Sequence, residues 1–164
     1  GFAALCHVSH EESVRITTVY RDIFDATVTA ADTPVFPGMA ELMRILVEQG
    51  RRIAVATSRL EHTAKLLISH LDLPAFDTIV GRLEPGRDTK AESIRDAMAQ
   101  LGADPSACVM NGDRHHDVEG AHACGVSCIA VYSGSAQAGE HEAAGADAIA
   151  HDVSDIARYL GVYL

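Results

Sequence analysis

The chain has 164 residues, enough for a domain with a sizeable core, and its 48% apolar and 22% charged content is that of an ordinary globular protein. Thirteen Lys+Arg against 23 Asp+Glu give a net charge of −10, which argues against a nucleic-acid partner; anionic small molecules stay open, because one Mg²⁺ reverses a local field. The apolar runs are too short for a bilayer, no basic n-region opens the chain and the four cysteines make no CxxC, so the expectation is a soluble, cytoplasmic protein with buried free thiols and no membrane contact.

Ser9 with Glu12 is a capping-box pattern, and the apolar spacing behind it predicts a helix from Ser9 to about Ala30. Thr33-Pro34-Val35-Phe36-Pro37-Gly38 follows as a stiff extended connector, read as a hinge. Beyond it the text alternates. Helices are expected from Met39 to Val47, Leu60 to Leu71, Lys90 to Leu101, Val118 to Cys124, Gly139 to Ala144 and Val153 to Leu160. Strands are expected at Arg52–Thr57, Thr78–Val80, Ala107–Asn111, Val126–Tyr132 and Ala148–Ile149. Ser133 to Ala138 is small and polar, a loop expected to move. Short strands alternating with helices predict an α/β fold with a mostly parallel sheet, helices on both faces and chemistry beyond the C-terminal strand ends.

Three segments carry candidate chemistry. Val109-Met110-Asn111-Gly112-Asp113 ends a strand in Gly-Asp, with Asp117 four residues on. Two carboxylates at a strand tip are hard ligands suited to Mg²⁺, although a turn Asp followed by a helix cap reads equally well. Ile53 to Arg59 ends a strand in Thr57 and Ser58, hydroxyls beside backbone N–H groups that can hold a phosphate oxygen or simply cap the next helix. Lys90 stands where the helix dipole disfavours a cation, which points to a function unless the side chain simply reaches into water. His62, His70, His141 and His151 lack partners at ligand spacing and are expected on the surface; His115 and His116 are expected to be exposed or to line the site without binding metal.

The order Thr57, Lys90, Gly112-Asp113…Asp117 resembles the second, third and fourth motifs of haloacid dehalogenase (HAD) hydrolases. Gly-Asp-Arg-x-His-Asp-Val-x-Gly-Ala resembles the phosphoglycolate-phosphatase-like subgroup. The resemblance implies a three-layer Rossmann-like core over 34–164, preceded over 1–33 by the remnant of a helical cap. It implies that Thr57 and Ser58 bind a phosphoryl group, that Lys90 neutralises its charge, and that Asp113 and Asp117 hold Mg²⁺. The implied partner is a small phosphorylated metabolite.

The family's first motif, Asp-x-Asp-Gly-Thr, carries the nucleophile, and no Asp-x-Asp occurs in these 164 residues. In the family its strand lies between the strand ending at Thr57 and the one ending at Asn111. The sheet is therefore expected to lack its central first strand, a loss of about 10 kcal/mol of burial against a typical stability of about 5–15 kcal/mol. An N-terminal piece, strand donation in a homodimer, or the apolar run Phe2–Val8 are the ways to fill such a slot. The chain as it stands is expected to be inactive, either part of a phosphatase or a non-catalytic binding or assembly protein.

Overall fold

A computed structural model describes residues 7–133 and 136–164. The Phe2–Val8 run and the Ser133–Ala138 loop therefore lie partly outside the described residues. The chain divides into two compact units, Gly1–Pro34 and Val35–Leu164.

The first unit is built on α1 (His10–Thr27), whose N-cap Ser9 accepts from the Glu12 N–H at 3.2 Å. The Asp32 carboxylate accepts from the N–H and hydroxyl of Thr29, both at 2.8 Å, closing the turn that follows. No described residue of α1 is buried. Val14, Val19, Tyr20 and Ile23 are each more than half exposed.

The second unit runs α2 (Met39–Glu48), β1 (Ala54–Leu60), α3 (Glu61–Ser69), β2 (Thr78–Arg82), α4 (Lys90–Leu101), β3 (Val109–Gly112), α5 (His115–His122), β4 (Ser127–Val131), α6 (Glu140–Ala143), β5 (Ala148–Ala150) and α7 (Val153–Tyr159). Every ladder is parallel: β1 on β2, β3 on β4, and β4 on β5. The three layers can be read from β4 alone. Ile129 and Val131 join Leu42, Leu46, Val153 and Ile156 of α2 and α7 on one face, while Cys128 and Ala130 join Ile94, Val118 and Ala121 of α4 and α5 on the other. Alternation along one strand thus feeds two cores, as a sheet covered on both faces requires.

The sheet is not continuous. β1–β2 and β3–β4–β5 are separate, with β1 and β3 as open edges. Between them lies a largely apolar cavity of about 700 Å³, lined among others by Ala54, Val55, Ala56, Val109, Met110 and Asn111. α4, which leads from β2 to β3, runs antiparallel to β1. At its far end the Arg52 guanidinium donates to the Leu101 carbonyl, and at its near end Lys90 Nζ donates to the Ala56 carbonyl at 3.0 Å. Val109, in mid-sheet by sequence order, is 52% exposed because its edge is unpaired. The slot expected from the missing strand is present as a cavity.

Several expected boundaries move. β1 starts at Ala54 and continues to Leu60, past Thr57: after Ala56↔Val80 the register slips and pairing resumes at Leu60↔Arg82. The strand expected at Ala107 starts at Val109, because Pro105–Ala107 forms a 3-10 turn. The helix expected at Val118 begins three residues earlier, at His115. His141 is not on the surface: it is fully buried, its ring 4.4 Å from that of Tyr132 and its Nε2 3.1 Å from the Val131 carbonyl oxygen. A single turn of helix folds its inner side chain onto β4, and no periodicity in four residues announces that. Of the thiols, Cys128 is buried while Cys108 and Cys124 are only half-buried. Burial pushes the Cys128 thiol up to about 12. Among the described residues no helix is long and apolar enough to cross a membrane.

Candidate active site

The site lies at the C-terminal ends of β1 and β3, where parallel strands direct backbone N–H groups and helix N-termini into one crevice. Its centre is the ion pair of Lys90 Nζ and Asp117 Oδ1 at 2.8 Å, both side chains nearly buried. The other oxygen of Asp117, Oδ2, accepts from the N–H groups of Asp113 at 3.0 Å and Arg114 at 3.1 Å. Asp117 therefore closes the loop after β3 from the first turn of α5 and also meets the lysine. Asp117 is not the N-cap that a plain helix start would make it: Arg114 holds that position, and Asp117 is the third residue of α5, its carboxylate reaching back to the cap N–H.

Lys90 is the first residue of α4, whose N-cap Thr89 forms a full capping box with Glu92. Its placement against the helix dipole is offset by Asp117 and the Ala56 carbonyl. That carbonyl immediately precedes Thr57, so Lys90 ties the tip of β1 to the loop after β3. The Thr57 hydroxyl accepts from the Arg59 N–H at 3.2 Å, and the Thr57 carbonyl accepts from the Ser93 hydroxyl at 3.4 Å. Ser58 is exposed on the same tip. The structure thus joins Lys90 to Asp117 directly, Thr57 through its neighbour's carbonyl, and Asp113 through its backbone.

Two close approaches need glycine. A Cβ on Gly112 would stand 2.2 Å from Asp117 Cβ, and one on Gly120 would stand 2.5 Å from Lys90 Cγ. Gly112 was legible as a point of close backbone approach. Gly120 was not, because the side chain it admits comes from a helix thirty residues away.

The network that holds α4 in place also escaped the sequence. Arg87 is buried, donating to Asp96 at 2.7 Å, to Glu61 at 2.8 Å and to the Gly81 carbonyl at 2.6 Å. Leu83 and Arg87 exchange backbone hydrogen bonds, forming a tight loop that delivers Asp88-Thr89-Lys90 to the crevice. Lys65 first, then Arg87 and the Gly81 N–H, hold the Glu61 carboxyl down to about 2. A buried arginine three residues before a lysine has no spacing signature, so only its three partners identify it.

The core is a three-layer α/β fold with parallel ladders, and its polar groups at Thr57, Lys90, Asp113 and Asp117 are linked around the Lys90–Asp117 pair. The chain matches the family described as haloacid dehalogenase-like hydrolase over residues 4–131, and it belongs to that family. It is 29% identical over 159 residues to a phosphoglycolate phosphatase of Caulobacter vibrioides, covering 95% of this chain and 66% of that protein. It is 37% identical over 125 residues to the tyrosine-protein kinase PtkA of Mycobacterium tuberculosis, covering 75% of this chain and 42% of that one. It is also 37% identical over 114 residues to a 5'-nucleotidase of Pseudomonas aeruginosa, covering 68% of this chain and 51% of that protein. The chain thus spans about two fifths to two thirds of the length of these relatives. A predicted phosphatase from Clostridium acetobutylicum has the same fold with a TM-score of 0.83 and 30% identity, covering 97% of this chain and 74% of that chain.

Proposed function

We propose that these residues form the phosphate- and Mg²⁺-holding part of a phosphomonoester hydrolase acting on a small phosphorylated metabolite. The observation that carries this reading is the Lys90–Asp117 pair, nearly buried and fastened to the tips of both β1 and β3. Thr57 and Ser58 would donate to phosphoryl oxygens, and Lys90 would balance their charge. Asp113 and Asp117 offer hard carboxylate oxygens at one loop, a donor set that suits Mg²⁺. Asp113 is half-buried, while Asp117 already accepts three hydrogen bonds, so Asp113 fits direct ligation and Asp117 a supporting role. Bound there, the metal would neutralise charge on the phosphoryl oxygens.

These 164 residues contain no Asp-x-Asp, and by this reading they form no phosphoaspartate on their own. The attacking carboxylate would arrive on an apolar strand entering the slot between β1 and β3, from a preceding segment of the polypeptide or from a second copy. The phosphatase and nucleotidase names among the relatives support phosphoester hydrolysis. The test is turnover of p-nitrophenyl phosphate by the full-length protein. Mg²⁺-dependent release that falls about 100-fold or more in Lys90→Ala supports the reading, since removing one charge-stabilising donor costs this much. Absence of turnover, with phosphate still bound, would establish the alternative of a non-catalytic binding protein on the same fold.

A further inference from the structure

His115 and His116 are the first two residues of α5, and Glu119 lies one turn on. One ligand atom from each of the three lies within 4.8 Å of the others, the sole such grouping of His, Cys, Asp and Glu side chains among the described residues. The two imidazole rings lie close, 3.8 Å between centroids and inclined at 48°. We propose that His115, His116 and Glu119 form a binding site for a divalent transition-metal ion of the Zn²⁺ type, distinct from the all-oxygen pair Asp113 and Asp117.

The strongest support comes from the other side of His115. Glu140, at the start of α6, accepts from the His115 N–H at 2.9 Å and lies 2.8 Å from its Nδ1. A carboxylate acceptor puts the proton on Nδ1 and leaves the Nε2 lone pair as the donor. Metal-binding histidines are commonly oriented in this way, by a carboxylate behind the ring. The Glu140 carboxylate also balances Arg114, whose Nε is 2.8 Å away, so the guanidinium does not confront an incoming cation uncompensated.

The donor types select the metal. Two imidazoles and a carboxylate suit Zn²⁺ and its neighbours, whereas Mg²⁺ prefers oxygen alone. His116 and Glu119 are exposed at 66% and 61% of their side chains, so an ion arrives with its water and needs no opening of the fold. Three protein ligands leave a fourth position for water or an anion. This inference does not depend on the hydrolase reading, because it uses none of Thr57, Lys90 or the missing nucleophile.

The test is titration of the tag-free full-length protein with Co²⁺ in Mg²⁺-free buffer, following the visible ligand-field band, then displacement with Zn²⁺. One Co²⁺ per chain is expected, with binding weakened about 10-fold or more in His116→Ala and Glu119→Gln. Glu140→Gln, which takes away the carboxylate behind His115 and the countercharge of Arg114, is expected to weaken binding about 10–100-fold. Zn²⁺-dependent shifts of the His115 and His116 imidazole resonances in the unsubstituted protein give a readout free of any folding defect. Equal binding by His116→Ala and the parent, or imidazole resonances that ignore Zn²⁺, overturns the proposal.

Discussion

Lys90 Nζ lies 2.8 Å from Asp117 Oδ1, and through this contact α4 and α5 share one nearly buried charge pair at the mouth of the sheet. The pair is structural before it is chemical. Removing either partner strands the other charge in a poorly hydrated place, whereas removing both leaves none.

Lys90→Met is therefore expected to lower the stability of the full-length protein by about 3–5 kcal/mol, the cost of an uncompensated buried charge. Lys90→Met with Asp117→Asn should recover part of that loss. Urea unfolding of the two single variants and the double variant measures the coupling. Strictly additive effects would show that the pair contributes nothing.

The glycines at this contact rank by what they touch. Gly112→Ala drives a methyl group into the Cβ of Asp117, which is fixed to its own helix, while Gly120→Ala meets the bendable stem of Lys90. Overpacking of this kind costs about 1–3 kcal/mol, and Gly112→Ala should lie at or above the top of that range. Gly120→Ala is expected to cost less in melting temperature yet to impair phosphate binding, since it displaces the ammonium group.

Acid should loosen the anchor of α4. The Glu61 carboxyl titrates near 2 when folded, against 4.5 ordinarily. Because the folded value is the lower one, its stabilisation is complete above pH 4.5 and fades as pH falls towards about 2. Urea midpoints measured down this range should fall, and more shallowly in Glu61→Gln. An unchanged slope in that variant would place the acid sensitivity elsewhere.

The open edge of β3 gives a test of what occupies the slot. Val109 is 52% exposed in residues 1–164, so Val109→Lys should change the stability of this span by no more than about 0.5 kcal/mol. Where a strand fills the slot, the same lysine becomes a charge in a sheet interior. The full-length protein should then lose several kcal/mol, read from its thermal or urea unfolding.

Much of the site was legible from order alone. Lys90 opens α4, Asp113 follows β3 and Asp117 lies in the first turn of α5, positions that meet at one rim of a parallel sheet, whereas Thr57 lies within β1, where its register slips. α4 kept its expected bounds, Lys90 to Leu101, because the Thr89–Glu92 box and Gly102 mark both ends chemically. The first turn of α5 was missed because His115, His116 and Asp117 carry no apolar period, and that turn is held instead by Asp117 folding back on the loop.

Local chemistry, written residue by residue, sets the alternation of strands and helices, the caps and the order of polar groups along the rim. Contacts between distant segments set the rest: the Lys90–Asp117 pair, the burial of His141 against β4, the Arg87 anchor and the seating of His115 against Glu140. These depend on which surfaces are pressed together once the chain is closed, and a desolvated charge or a buried imidazole has no periodicity of its own. The gap between β1 and β3 belongs to both accounts. Among the described residues no strand pairs with the facing edges of β1 and β3, and α4 spans the space between them.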